Sequence, residues 1–291
     1  MSGIDWEGAV TASRSQAHEY RLFVREIGPK NAAPLLFLHG FPTSSLDWSK
    51  IAPAFGHRRS FFPDLLGFGR SDKPAIRYSY PLQADLITDL LAKRGVNQVD
   101  IVAHDYSVTL VQELLRREQE VHPSAPRIRR IVFLNGGVFG RLHRKQRAHR
   151  LLMLPLLGPV FARRITPATL TRGLNAISGC SEAWDAIDGE RHWREMACND
   201  GLSRLPRLLH YIADRRRNGA GWEAAMTAAA ARCAFVWGQE DPVSGAHVLA
   251  EVSIQCPDAQ TVRLNGVGHY PHWEAPDQTA KAILNALEPA W

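Results

Sequence analysis

Residues 101–110 read IVAHDYSVTL: an apolar run, then His104-Asp105-Tyr106-Ser107, then a second apolar run. A short apolar run bounded by a turn fits a strand buried on both faces. The spacing that follows predicts a helix over about 107–120. In an open parallel sheet, ligands bind outside the carboxyl ends of the strands. A residue held in the sharp turn between this strand and this helix is therefore presented to a substrate rather than to the core. Ala103 and Ser107 stand two residues before and two after Asp105, matching small-x-nucleophile-x-small, with Ala and Ser where glycines are usual. The same position also suits an aspartate capping the helix, and the segment by itself leaves both readings open.

Working outward, three further apolar runs precede turns: APLLFLHG at 33–40, RIVFLNGG at 130–137 and CAFVWGQEDP at 233–242. Continuous apolar strands alternating with helices point to a mostly parallel sheet covered on both faces, an α/β class. Helices are expected over about 82–95 and near the C-terminus in QTAKAILNAL. From about 138 to 222 the strand pattern stops, and amphipathic stretches broken by Pro and Gly take over. The expected organisation is a core over 1–137, a helical cap over 138–222, and the rest of the core over 223–291.

The chain has 291 residues, 45% hydrophobic and 22% charged, an ordinary globular composition. No apolar run reaches the ~18 residues of a membrane span, and the N-terminus lacks the basic start and apolar core of a signal peptide. The four cysteines have neither CxxC nor zinc spacing, so reduced thiols in a cytoplasmic protein are expected, with no metal. Net charge is +6, with arginine clusters at 141–150 and 215–217. Neither interleaves aromatics or sits in a nucleic-acid-binding module, so both read as solvated helix faces and nucleic acid is not an expected partner.

Two other segments bear on Asp105. In VGHYPHWEAP, His269 lies in a loop after the strand-like AQTVRLNG; in VWGQEDPVS, Asp241 follows an apolar strand and precedes Pro. Asp105, Asp241 and His269 thus run in the order nucleophile, acid, histidine, each at the end of a strand. Glu240 is the neighbouring rival for the acid, but Asp241 fits the DPV motif. A fourth segment, FLHGFPTSS at 37–45, supplies a loop after the first buried strand. Its backbone N–H at Phe41, with that of Tyr106, is expected to form an oxyanion hole.

With these residues in view, the chain resembles an α/β-hydrolase of the epoxide hydrolase and haloalkane dehalogenase group. The matching signatures are HGFPTSS, DLLGFGRSDKP, AHDYS, WGQEDPV and GHYPHWEAP, spread over about 35–285. HGFPTSS, HDYS, LNGGVF and LLHYI are closest to the mesoderm-specific transcript branch, an epoxide-hydrolase-like group. The resemblance implies an α/β-hydrolase fold with an inserted helical cap, and a hydrolase that needs no cofactor.

A carboxylate is a poor acyl nucleophile but a competent one for SN2 attack on saturated carbon. Asp105 therefore implies an sp³ electrophile, opened through an aspartyl ester. His269 would activate the water that cleaves the ester, and Asp241 would orient the imidazole. Epoxide oxygen needs an acid as the ring opens; the resemblance places one at Tyr211, the single tyrosine of the cap. Most epoxide hydrolases resemble one another in using a tyrosine pair, with Tyr106 or His210 the candidates here for the second donor.

Halide instead needs N–H donors. Tyr106 stands where dehalogenases look to have Trp, although Trp184 and Trp193 of the cap are candidate donors. His39 is expected to brace the oxyanion loop, His104 to pack under the cap, and His272 to line the C-terminal turn, and His39, His104, Trp184, Trp193 and His210 are candidate pocket residues. The Leu-rich LLMLPLLGPVF at 151–161 hints at an apolar pocket, though such stripes usually pack cap onto core.

Epoxide hydrolysis to a diol is the leading expectation. Haloalkane dehalogenation is the second, and a non-catalytic ligand receptor on a hydrolase scaffold the third. The expected partner is a small apolar substrate, with a homodimer as the assembly to test.

Overall fold

The computed structural model describes residues 6–16, 18–120, 126–142, 144 and 147–288; at 147 and 148 only the backbone is described. Strands β1 (Ala9–Ser15), β2 (His18–Ile27), β3 (Pro34–Leu38), β4 (Arg59–Pro63), β5 (Gln98–His104), β6 (Arg127–Leu134), β7 (Cys233–Gly238) and β8 (Gln260–Leu264) form one sheet. Their order is β1-β2-β4-β3-β5-β6-β7-β8. β2 runs antiparallel to both neighbours, and from β4 to β8 every pairing is parallel.

The apolar runs become the middle of this sheet for the expected reason. Along β5, Ile101 and Ala103 face one layer, and Val102 faces the other. The first layer is covered by α1 (Tyr80–Lys93) and α2 (Tyr106–Gln119). Ser79 caps α1 by accepting from the Leu82 N–H at 3.3 Å, and Gly95 ends it with a left-handed φ of 69°.

Between β6 and β7 the chain leaves the sheet, and the described residues there form the cap helices α3 (Arg147–Leu152), α4 (Gly158–Arg163), α5 (Pro167–Asn175), α6 (Ala186–Ala197), α7 (Gly201–Leu208) and α8 (Tyr211–Ala228). The core then resumes with α9 (Ala246–Gln255), α10 (Pro271–Glu274) and α11 (Pro276–Leu287) around β7 and β8, and α11 covers the second face. This is the mostly parallel, helix-flanked sheet with a helical insertion that the resemblance implies. α8 crosses the expected boundary at 222, and its far half lies on the core. There Trp222 Nε1 donates to Glu113 on α2 at 2.7 Å, and Gln119 donates to the Ala225 carbonyl at 2.9 Å.

One half of the cap is tied to the core by buried charge. Arg25 on β2 donates through Nη2 to Glu195 of α6 at 2.7 Å, with both side chains buried. Ser44 also donates to Glu195, and Arg70 pairs with it at 3.3 Å. Beside them Lys73 donates to the Cys198 carbonyl at 2.6 Å. Trp184 stacks on Trp273 of the core, centroids 4.4 Å apart and planes within 5°.

The other half differs from expectation. The stripe at 151–161 does not pack onto the core along its length: Leu151, Met153, Leu154, Leu156, Leu157, Val160 and Phe161 are all exposed, Leu156 by 86%. No helix among the described residues is long and apolar enough to cross a membrane.

Candidate active site

β5 ends at His104, and the chain turns into α2 within one residue. Asp105 takes that turn at φ 46° and ψ −107°, a conformation that costs a non-glycine residue about 1–3 kcal/mol. Its side chain makes no capping hydrogen bond to the helix, so the N-cap alternative does not account for the aspartate. The strain is accommodated by close neighbours. A Cβ on Gly40 would meet the Asp105 Cβ at 2.8 Å, and one on Gly136 would meet the Asp105 Cα at 2.8 Å. The glycines that permit the elbow therefore come from the loops after β3 and β6. Ser107, at one of the small positions, donates to the His39 carbonyl at 2.5 Å and ties α2 to the oxyanion loop.

The Asp105 carboxylate is held from two sides. The Phe41 N–H donates to Oδ2 at 3.0 Å, while Oδ1 lies 3.7 Å from His269 Nε2. Tyr106 begins α2, so its N–H is among the helix N-terminal donors that lack an acceptor within the helix. The side chains named from sequence as nucleophile, base and acid thus meet at the carboxyl ends of β5, β7 and β8.

His269 Nδ1 faces Asp241 Oδ2 at 2.8 Å. Burial opposes protonation of His269, but the Asp241 carboxylate, its hydrogen bond and the Asp105 charge prevail and raise its pKa to about 9. Burial would raise Asp241, yet His269 and the hydrogen bonds from His269, Ser244 and Asn135 hold it well below the usual carboxylate range.

Three residues of this network escaped the sequence reading. Asn135, in the LNGG turn after β6, donates to Asp241 at 3.0 Å and to the Gly238 carbonyl at 2.9 Å, and accepts from the Gly238 N–H at 2.7 Å. Ser244 donates to Asp241 at 2.7 Å. Glu274, two residues past His272, accepts from the N–H groups of Gly268, Tyr270 and Gly179, fixing the histidine loop against the cap. A polar residue directly after a buried strand was the available signal for Asn135.

His39 lies within the loop after β3: Nδ1 is 2.9 Å from the Gly40 carbonyl, and Nε2 accepts from the Leu65 N–H at 3.0 Å. That arrangement defines a neutral tautomer with the proton on Nδ1. His104 is wholly buried, with Nε2 at 2.8 Å from the His269 carbonyl. Burial, with His269 beside it, pulls its pKa down to about 4, so it stays neutral. Asp47, His104 and His272 offer ligand atoms within 4.8 Å of one another, the set among the described residues that could hold a metal ion.

Above Asp105 opens a cavity of about 570 Å³, within the range of small-molecule sites. Leu152, Ile165, Leu170, Leu174, Met196 and Leu205 supply much of its wall, and Asp105, His269, Phe41 and Tyr270 its floor. Five residues named from sequence as pocket candidates do not line it. His39 and His104 lie beneath the loops. Trp184 is turned into the Trp273 stack, and Trp193 Nε1 donates to the Ile165 carbonyl at 2.7 Å. His210 is exposed. Each has a packing or backbone partner, or water, that wins over the cavity.

Tyr211 is buried at the start of α8 and likewise stands outside the lining. Its ring lies 5.3 Å from Tyr106 edge-on and 6.5 Å from Phe41. Burial and then the Asp105 charge raise its pKa, which keeps the phenol protonated. The sequence reading also missed His149 and Tyr270, which do line the cavity.

Comparison with known proteins matches residues 35–282 to the alpha/beta hydrolase family. A putative hydrolase, LipZ, of Mycobacterium tuberculosis is 35% identical over 269 residues, 92% of each chain. The mesoderm-specific transcript homolog protein of Bos taurus is 32% identical over 256 residues, covering 83% of this chain and 75% of that one. Among solved structures, a loop variant of the haloalkane dehalogenase DbeA from Bradyrhizobium elkanii superposes with a TM-score of 0.76 over 96% of both chains at 20% identity, a likeness of fold. Family match and whole-length relatives agree with the strand–elbow–helix geometry: this chain belongs to the alpha/beta hydrolase family.

Proposed function

We propose that this hydrolase opens an apolar epoxide to a vicinal diol through an ester on Asp105. The observation that carries the reading is the carboxylate itself. It occupies the strained elbow with Oδ2 on the Phe41 N–H and Oδ1 toward His269, at the floor of an apolar cavity. Oδ1 attacks a ring carbon; the carbon–oxygen bond breaks, and its electron pair goes to the epoxide oxygen, which takes a proton from Tyr211. His269 gives its proton to the Tyr211 phenolate, and the freed Nε2 then takes a proton from a water that adds to the Asp105 carboxyl carbon. The oxyanion formed rests on the N–H groups of Phe41 and Tyr106, and its collapse releases the diol and restores the carboxylate.

The raised pKa of His269 fits this order of events. In the free site the imidazole is held protonated by two carboxylates. Esterification removes the Asp105 charge, so its pKa falls just as a base is needed. Tyr211 is the proposed acid on the resemblance; its ring packs behind the cavity lining, 6.5 Å from Phe41, so donation requires the side chain to turn toward the space above Asp105.

Halide release is the competing chemistry. It needs N–H donors facing the leaving atom, and among the described residues the cavity lining contains neither Trp nor Asn. The discriminating experiment incubates the protein with aryl and long-chain epoxides and, in parallel, with bromoalkanes. Diol without bromide is expected, with Asp105→Asn at least about 10⁴-fold slower. Bromide release across the panel, or no turnover of any epoxide, would overturn the reading.

A further inference from the structure

The exposed stripe on the cap has a charge setting that the fold does not explain. From residue 140 to 181 the sequence holds eight Arg and Lys and no Asp or Glu, whereas the rest of the chain sums to −2. In the middle of that segment, seven large apolar side chains between Leu151 and Phe161 stand more than a third exposed, Leu156 at 86% and Leu157 at 53%. Arg150, Arg163 and Arg164 flank them in the open. Among the described residues the other exposed large apolar side chains, Val10, Ile187 and Ile254, stand apart in sequence, whereas seven fall within this one stripe, and a patch of this kind marks an interaction site.

We propose that this face of the cap docks onto an anionic lipid bilayer. Apolar side chains ringed by arginines are the composition of a surface that sinks to the headgroup level and pairs with lipid phosphates. A second copy of the chain is disfavoured by charge, because two such faces would oppose arginine to arginine and residues 140–181 supply no carboxylate to pair with them. Nucleic acid suits the cations but not an aliphatic centre with one aromatic ring.

The location fits the occupant. Leu151 and Phe161 belong to the exposed patch and to the cavity wall, and Arg164 lies beside them in that wall. The patch is therefore the rim of the cavity above Asp105. Docked, the rim opens into the acyl layer, and an apolar molecule dissolved there enters the site without crossing water.

The test is vesicle sedimentation of the full chain. Phosphatidylcholine vesicles carrying roughly 30 mol % phosphatidylglycerol are compared with phosphatidylcholine alone, at low salt and at about 0.5 M salt. Binding to the anionic vesicles is expected to be at least about tenfold tighter than to neutral ones, and the advantage to shrink at high salt. The double variant Leu156→Asp, Leu157→Asp, whose residues lie outside the cavity wall, should lose about tenfold or more in binding. Its thermal midpoint and elution volume should match those of the parent. No binding to anionic vesicles, equal binding to both vesicle types, or a variant that binds normally would overturn the proposal. So would a parent dimer that the variant dissociates, which would assign the face to a second copy.

Discussion

The two halves of the cap solve opposite problems. Around α6 the cap puts a carboxylate, Glu195, into the core against Arg25, stacks Trp184 on Trp273, and offers backbone carbonyls to Lys73. Around α3 and α4 it leaves leucines in the open above the cavity. The difference teaches that being apolar did not decide what the cap buries. The anchored half is fixed by a few satisfied polar groups, and the open half is left to form a mouth.

The largest effect expected from this contrast comes from Glu195→Ala. It leaves the buried Arg25 with Asp64, 3.7 Å away, as its remaining carboxylate, so the loss is expected to approach but not exceed the about 3–5 kcal/mol for removing one partner of a buried pair. Denaturant unfolding measures it, and a loss under about 1 kcal/mol would mean that the pair does not anchor the cap. The double variant Leu156→Asp, Leu157→Asp touches the other half, and the same measurement should move by less than about 0.5 kcal/mol.

Between these effects lies the pH dependence of stability. His269 is raised from 6.5 to about 9, so its contribution is complete below about pH 6.5 and is lost as pH rises through about 9. His104 is lowered to about 4, so its contribution holds above pH 6.5 and is lost as pH falls through about 4. Unfolding free energy measured from pH 6.5 to 9.5 should decline, and the His269→Gln variant should flatten that alkaline limb. Parallel slopes for both proteins would contradict the assignment.

Much of this was legible in the sequence, for a physical reason that differs by region. β5, β6 and β7 lie mid-sheet, and toward their carboxyl ends, at 101–103, 131–134 and 233–237, they are buried on both faces and read as continuous apolar runs. Asp105, Asp241 and His269 each follow a strand, which places them at one end of the sheet whatever the loops do. β2 escaped notice because HEYRLFVREI carries Arg25, a charge whose buried partner lies 170 residues away. β1 is a sheet-edge strand with half-exposed residues, and β4 is only five residues long.

The cavity wall was not legible, because its side chains come from loops and helices whose facing is fixed only by packing. Trp193 illustrates this: a donor in the cap, it is used by the Ile165 carbonyl instead of a ligand. For the stripe at 151–161 a pocket wall and cap-to-core packing both stayed open, because periodicity reports an apolar face but not what covers it.

The central claim is that Asp105 becomes an ester during turnover. The direct measurement is the intact mass of His269→Gln after incubation with an epoxide that the parent converts. The account predicts a mass gain of one whole epoxide molecule, mapped to the peptide containing Asp105 and absent in Asp105→Asn. An unmodified His269→Gln protein, under conditions where the parent makes diol, would contradict it.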